Sequence, residues 1–308
     1  MTALPRLIVV LGPTASGKSA LGIAIAKKLN GEILVCDSTQ VYRRFDIGTG
    51  KVPPAEQHGI PHHLMDMVQP DAVFTAGEYR RRAIAALDDL RARGKTPVIT
   101  AGTGLYLRAL LEGLADSPER SEELRERMRA IVARRGPKRL HEILAKLDRE
   151  SAARIEPADT QKIIRAIELR LLAGKTVGEI YRAGREPLEG YAIVKVGLAP
   201  KRPALYARIH ERIDQMIAGG WIDEVRNLVE SGVLESAKAF QFIGYSQWRD
   251  YLRGNLSQDA ALEEIRKATR HFAKRQQTWF RREPNVHWIE GFGDDHAVEI
   301  DVLKFISN

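Results

Sequence analysis

The run Gly12-Pro13-Thr14-Ala15-Ser16-Gly17-Lys18-Ser19 stands directly after the apolar stretch Leu7–Leu11 and directly before an amphipathic helical pattern. It fits GxxxxGK[ST] in the strand–turn–helix context that gives the pattern its physical meaning. The glycines let the backbone turn tightly, so that successive N–H groups and a helix N-terminus point at phosphate oxygens. Lys18 adds a full positive charge and Ser19 a hydroxyl able to ligate magnesium. A diphosphate or triphosphate ligand follows. The loop does not select among such ligands, because the β,γ unit of ATP and an organic diphosphate present similar anionic oxygens.

Around this loop, short apolar runs alternate with helical patterns. Leu7–Leu11 is followed by a helix over about 18–29, the run 32–36, a helix over about 77–93 and the run 97–101. Such alternation predicts βα units and a mainly parallel sheet. From about 115 to 190 the pattern changes to charged, helix-forming stretches such as 119–135 and 160–172, with no convincing strand. A strand-like segment, Tyr191–Leu198, resumes the core, followed by helical patterns over 203–217, 221–231 and 257–278. The expected fold class is therefore α/β: a P-loop NTPase-like core (1–114 and 191–308) with a mainly parallel sheet flanked by helices, plus an all-helical insertion domain (115–190).

Composition narrows the partners. Lysine and arginine exceed acidic residues by eight, and the sequence pI is near 9.6, so the net field attracts polyanions. No apolar run approaches the roughly 20 residues a membrane span needs, and the N-terminus shows no leader-like segment; the cytoplasm is the expected compartment. The single cysteine, Cys36, excludes an intramolecular disulfide and reads as a small buried residue at a strand end.

Asp37 follows the strand 32–36, whose carboxyl end should open onto the same crevice as the phosphate loop. It could take a proton from an attacking nucleophile, hold magnesium through water, or cap a turn. Thr103, in the turn Ala101-Gly102-Thr103-Gly104, should reach that crevice too. Arg208 and Arg212, four apart on one helix, either clamp diphosphate oxygens or line an exposed face. Between Arg266 and Arg282 lie seven basic residues and no acidic one. Arg266, Arg270 and Lys274 share one helix face, with amides and aromatics after them, a pattern suited to a phosphate backbone and stacked bases. The adjacent His62 and His63 read as structural.

The combination of Gly12–Ser19 with Asp37-Ser38-Thr39-Gln40-Val41-Tyr42-Arg43, Asp46-Ile47-Gly48-Thr49 and Pro61-His62-His63-Leu64 resembles the tRNA dimethylallyltransferase family. So do Gly102-Thr103-Gly104-Leu105-Tyr106, the segment 161–168, Ile243-Gly244-Tyr245 and the segment 274–281, in order along nearly the whole chain. The resemblance implies transfer of a dimethylallyl group from its diphosphate to N6 of the adenosine just 3′ of a tRNA anticodon, with Mg2+ as cofactor. It implies that Asp37 is the base, with Lys18 and Thr103 in the catalytic group, and that Gly12, Pro13, Thr14, Ala15, Ser16, Gly17, Lys18 and Ser19 hold the diphosphate. It further implies tRNA contacts from Asp37, Ser38, Thr39, Gln40 and Thr103, and from Arg125, Gln161, Lys162, Ile163, Ile164 and Arg165 of the insertion. More are implied from Gln241, Phe242, Ile243, Gly244, Tyr245, Ser246 and Gln247, and from Lys274, Arg275, Gln276, Gln277, Thr278, Trp279, Phe280 and Arg281. The zinc-finger extension of longer eukaryotic relatives is not expected, and a monomer is.

Two other readings compete. A P-loop kinase of nucleosides or small metabolites explains the first hundred residues equally well, but gives the acid-free basic helix no work. A non-catalytic RNA-binding module conflicts with the intact Lys18-Ser19 pair and Asp37.

Overall fold

A computed structural model of the chain describes residues 4–115, 117–182, 184–234 and 236–307. In chain order the elements are β1 (Arg6–Leu11), α1 (Lys18–Lys28), β2 (Gly31–Cys36), β3 (His62–His63), α2 (Ala76–Ala92), β4 (Thr96–Ala101) and α3 (Gly104–Glu112). Then come α4 (Glu122–Leu147), α5 (Arg149–Arg154), α6 (Thr160–Ala173) and α7 (Val177–Arg182). The chain continues with β5 (Ala192–Leu198), α8 (Arg202–Ala218), α9 (Trp221–Glu230), α10 (Tyr245–Leu252), α11 (Gln258–Phe280), β6 (Val286–Ile289) and α12 (His296–Ser307). They form two compact units, one from 1–111 with 188–308, the other from 112–187.

The first unit is built on a six-stranded, all-parallel sheet of order β3-β2-β4-β1-β5-β6. Its central strands are mostly apolar because helices cover both faces, with Glu32 and Thr100 as buried polar exceptions. Leu7, Val9 and Leu11 face one core with Leu34, Cys36 and Ile99, while Ile8 and Val10 face the other with Ile33, Val35 and Val98. This alternation within uniformly buried strands is the two-residue period of the β pleat. α1 and α12 supply the second core, through Leu21, Ile25, Val302 and Ile306; α2, α8, α9 and α11 supply the first. Register decides what meets at the carboxyl edge. Leu11 pairs with Ala101 and Cys36 also pairs with Ala101, so Gly12, Asp37 and Gly102 emerge side by side.

Sequence periodicity leaves out the helix α12 and the short strands β3 and β6, two and four residues long, which carry too little pattern. His62 and His63 form β3: His62 Nδ1 lies 2.8 Å from the Ile60 carbonyl and His63 Nε2 lies 2.7 Å from Glu32. Arg93 and His63 hold the Glu32 carboxyl down at about 2 despite its burial.

The second unit is helical. Met128, Leu140, Leu144, Ile163, Ile164 and Ile167 form its core. α4 is kinked where Gly136 takes a left-handed φ of 74° before Pro137. Glu168, fully buried, accepts two hydrogen bonds from Arg125 at 2.8 Å, one from Arg165 at 2.6 Å and one from the Ser121 N–H. Burial alone would raise this carboxyl, yet those donors outweigh it and hold it at about 2. Among the described residues, no helix is long and apolar enough to cross a membrane.

Candidate functional site

Gly17, at φ 84°, takes the left-handed conformation that starts α1, and no side chain caps that helix. Its first N–H groups therefore remain available to an anion. The buried Ser16 hydroxyl has no hydrogen-bond partner among the described residues, an orphan polar atom of the kind a phosphate oxygen satisfies. Lys18 reaches back to the Pro13 carbonyl at 2.7 Å. Burial lowers its ammonium to about 8; Asp37 opposes that shift and Arg212 adds to it.

On one side of the loop lies a cavity of about 330 Å³, with Thr14, Ala15, Lys18 and Ser19 on one wall and Asp37, Thr39, Gln40 and Gly102 on another. Ile209, Ile213, Met216, Trp221, Phe242, Ile243 and Phe272 give it an apolar wall, and Arg212 and Arg275 line it as well. Sequence reading did not single out this apolar wall. Its signal is the i, i+4, i+7 spacing of Ile209, Ile213 and Met216 on α8. A second cavity, about 940 Å³, opens on the other side of Lys18 and Ser19 and is also lined by Lys27, Lys51, Arg208 and Arg212.

Asp37 is held in one orientation. Its Oδ1 accepts from the Thr39 N–H at 2.8 Å and the Thr39 hydroxyl at 2.7 Å, which locks the side chain and leaves Oδ2 lying against Gly102. Thr103 Oγ1 accepts from the Ser38 N–H at 2.9 Å and donates to Ser38 Oγ at 3.2 Å. The N–H groups of Gly102 and Thr103 both bond the Cys36 carbonyl at 3.0 Å. Cys36 itself is inert, its thiol pushed up to about 12 by burial.

The two arginines of α8 separate. Arg208 pairs with Asp294 and lies over the Phe292 ring. Arg212 lines both cavities, with its guanidinium 3.5 Å from the Gly50 carbonyl and its pKa lowered by burial and by Arg208. Glu224, which sequence reading missed, accepts from the N–H groups of Asp46 and Ile47 at 3.1 and 2.7 Å and from the Tyr245 hydroxyl at 2.5 Å, fixing the loop that carries Gly48–Gly50.

Burial divides the expected RNA contacts into residues that face solvent and residues that do not. Ile163 and Ile164 are core residues of the helical unit, and Arg125 is spent on Glu168 with 5% of its surface exposed. Gln161 and Lys162 are exposed, while Arg165 is half-buried and bonded to Glu168. Tyr245 and Phe280 are fully buried, and Gly244 is covered by Trp221. Arg266 and Arg270 are partly exposed and already paired, with Asp214 at 2.6 Å and His210 at 2.7 Å on α8. Trp279 packs over Gly104 and under the Arg108 guanidinium. Gln276 is buried between the phosphate loop and Gly102. Exposed or partly exposed are Gln241, Phe242, Ile243, Ser246, Gln247, Lys274, Arg275, Gln277, Thr278 and Arg281.

Residues 40–283 match the model of the IPP transferase family. The chain is 48% identical to the tRNA dimethylallyltransferase of Koribacter versatilis, with 98% of each chain covered. Among solved structures it is similar to the full-length tRNA isopentenylpyrophosphate transferase of Bacillus halodurans, at 35% identity and a TM-score of 0.71, covering 98% of this chain and 95% of that one. It is also similar to a eukaryotic dimethylallyltransferase acting on tRNA, at 26% identity and a TM-score of 0.84, covering 99% of this chain and 80% of that one.

Proposed function

The chain belongs to the IPP transferase family, that of the tRNA dimethylallyltransferases, and from that membership we propose that it transfers a dimethylallyl group from dimethylallyl diphosphate to N6 of the adenosine 3′ adjacent to a tRNA anticodon. One observation carries the assignment of parts: a single cavity joins the phosphate loop, an immobilised carboxylate and an apolar wall. The rival reading, a P-loop kinase of nucleosides or small metabolites, is not favoured by the family match.

Adenine N6 is a poor nucleophile because its lone pair is delocalised into the ring. In this reading the N6–C bond forms as the bond from the allylic carbon to the diphosphate oxygen breaks. The electron pair leaves with the diphosphate, and the N6 proton passes to Asp37 Oδ2. The loop N–H groups, Ser16 Oγ, Lys18 and Arg212 stabilise the negative charge that grows on the departing oxygens. Ile209, Ile213 and Met216 shelter the dimethylallyl carbons from water. Ser19, with oxygens of the diphosphate and water, would hold Mg2+, which adds positive charge beside the leaving group. Thr103 buttresses the loop of Ser38. Because a stacked base cannot enter such a cavity, the adenosine must be extruded. Gln241, Phe242 and Ile243 at the cavity, Lys274, Arg275 and Arg281 on α11, and Gln161 and Lys162 in the helical unit are the RNA-facing candidates. In this reading the chain acts in the cytoplasm, with its tRNA substrate, and as a monomer.

The test is label transfer from dimethylallyl diphosphate, with Mg2+, to an unmodified tRNA transcript bearing adenosine after its anticodon, alongside labelled ATP with small acceptors. Label in RNA that disappears when that adenosine is replaced supports the reading; ATP consumption without RNA labelling rejects it. Asp37→Asn keeps the acceptor of both Thr39 hydrogen bonds but removes the base, so kcat should fall on the order of 10²–10⁴-fold with tRNA affinity retained. Equal loss of turnover and affinity would reject the base assignment.

A further inference from the structure

Gln276 lies within the most basic stretch of α11, where its neighbour Arg275 is exposed, yet its own side chain points inward and is 6% exposed. Its Oε1 accepts the Thr14 N–H of the phosphate loop at 2.7 Å, and its Nε2 donates to the Gly102 carbonyl at 2.8 Å. A backbone N–H can only donate and a carbonyl can only accept, so these two partners fix which end of the amide is which. Gly102 in turn donates its N–H to the Cys36 carbonyl at 3.0 Å, one residue before Asp37. A continuous chain of hydrogen bonds thus runs from the loop assigned to the donor diphosphate, through one amide, to the turn that supports the base.

We infer that Gln276 is a positioning residue that holds the phosphate loop and the Asp37–Gly102 turn in register, so that the allylic carbon and the attacking amine are aligned; this rests on the transferase reading above. The side-chain chemistry singles out glutamine. Ionised glutamate has no donor for the Gly102 carbonyl, lysine has no acceptor for the Thr14 N–H, methionine has neither, and asparagine is one methylene too short to span both. Since alignment of reactants accounts for large rate factors, a displacement of the two walls by a fraction of an ångström should act on turnover rather than on RNA binding.

The experiment measures kcat, KM for dimethylallyl diphosphate and Kd for tRNA in wild type, Gln276→Met and Gln276→Glu across a series from about pH 5 to about pH 8, because burial at this position raises a glutamate carboxyl from its ordinary range towards neutrality. Gln276→Met should lose on the order of 10²-fold in kcat with tRNA Kd unchanged. Gln276→Glu should be as impaired at the alkaline end and recover towards wild type as pH falls, because the protonated carboxyl again offers one donor and one acceptor. A change confined to tRNA Kd, or kcat equal to wild type in both variants, overturns the inference. So does a Gln276→Glu defect that keeps the same ratio to wild type at every pH, which is the mark of general misfolding. Should Gln276→Met fail to fold, the pH series within Gln276→Glu alone decides. Absence of transfer by wild type would instead overturn the transferase reading, and this inference with it.

Discussion

Gly102 and Asp37 are packed so closely across the carboxyl edge of the sheet that a Cβ placed on Gly102 would overlap Asp37 Oδ2. The backbone of Gly102 is not left-handed, so the requirement for glycine is one of space. In Gly102→Ala the carboxylate must move or the turn must open. Turnover should fall on the order of 10²-fold while affinity for dimethylallyl diphosphate, held by the neighbouring loop, stays near that of wild type. Steady-state kinetics with a donor-binding measurement check this; an unchanged kcat would show that Oδ2 is not the reacting oxygen.

Lys18 gives a pH signature. Burial brings its ammonium down to about 8, so above that pH the free protein increasingly presents a neutral amine to the diphosphate. KM for the donor should rise by up to about tenfold per pH unit beyond that point, and Lys18→Arg, which stays charged, should remove the rise. A flat KM up to about pH 9 in the wild type, about one unit above the shifted value of about 8, would contradict the role. The stability sign is opposite: a lysine whose folded pKa is depressed destabilises the fold while charged, so stability of the ligand-free protein increases between about 8 and 10.5.

Glu168 anchors the helical unit. Its folded pKa of about 2 lies below the ordinary 4.5, so its contribution is fully present above 4.5 and is lost as pH falls towards 2. Glu168→Ala leaves Arg125 buried without its partner and should cost about 3–5 kcal/mol. All four tryptophans, Trp221, Trp248, Trp279 and Trp288, belong to the other unit. The variant should therefore show an early loss of helical circular dichroism with little change in the tryptophan transition. Coincident transitions would refute separate anchoring.

Lys274 and Arg266 occupy the same helix but not the same environment. Lys274 is exposed, whereas Arg266 is bonded to Asp214. Lys274→Ala should reduce the slope of log affinity for tRNA against log salt by about 1, and Arg266→Ala should leave that slope unchanged. Filter binding across a salt series distinguishes them; equal effects would restore the basic stripe as a single RNA-facing surface.

Local sequence was enough wherever one segment carries its own pattern. The phosphate loop is legible because its glycines, Lys18 and Ser19 act through adjacent backbone, and the parallel sheet is legible because strands covered on both faces are mostly apolar. Asp37 was placed at the crevice by the rule that parallel strands open at their carboxyl ends. What periodicity could not show is which side of a polar helix turns inward. Arg266, Arg270 and Gln276 look alike on paper as RNA-facing residues, and only the packing of α11 against α8, the phosphate loop and Gly102 directs them to Asp214, His210 and a buried bridge. Glu224 was silent for the same reason: its partners, the N–H groups of Asp46 and Ile47, lie far from it in sequence. The chain's own order of residues thus determined the phosphate chemistry and the sheet. Tertiary structure decided which polar side chains are left for the substrate, because burial and pairing between distant segments consume the others.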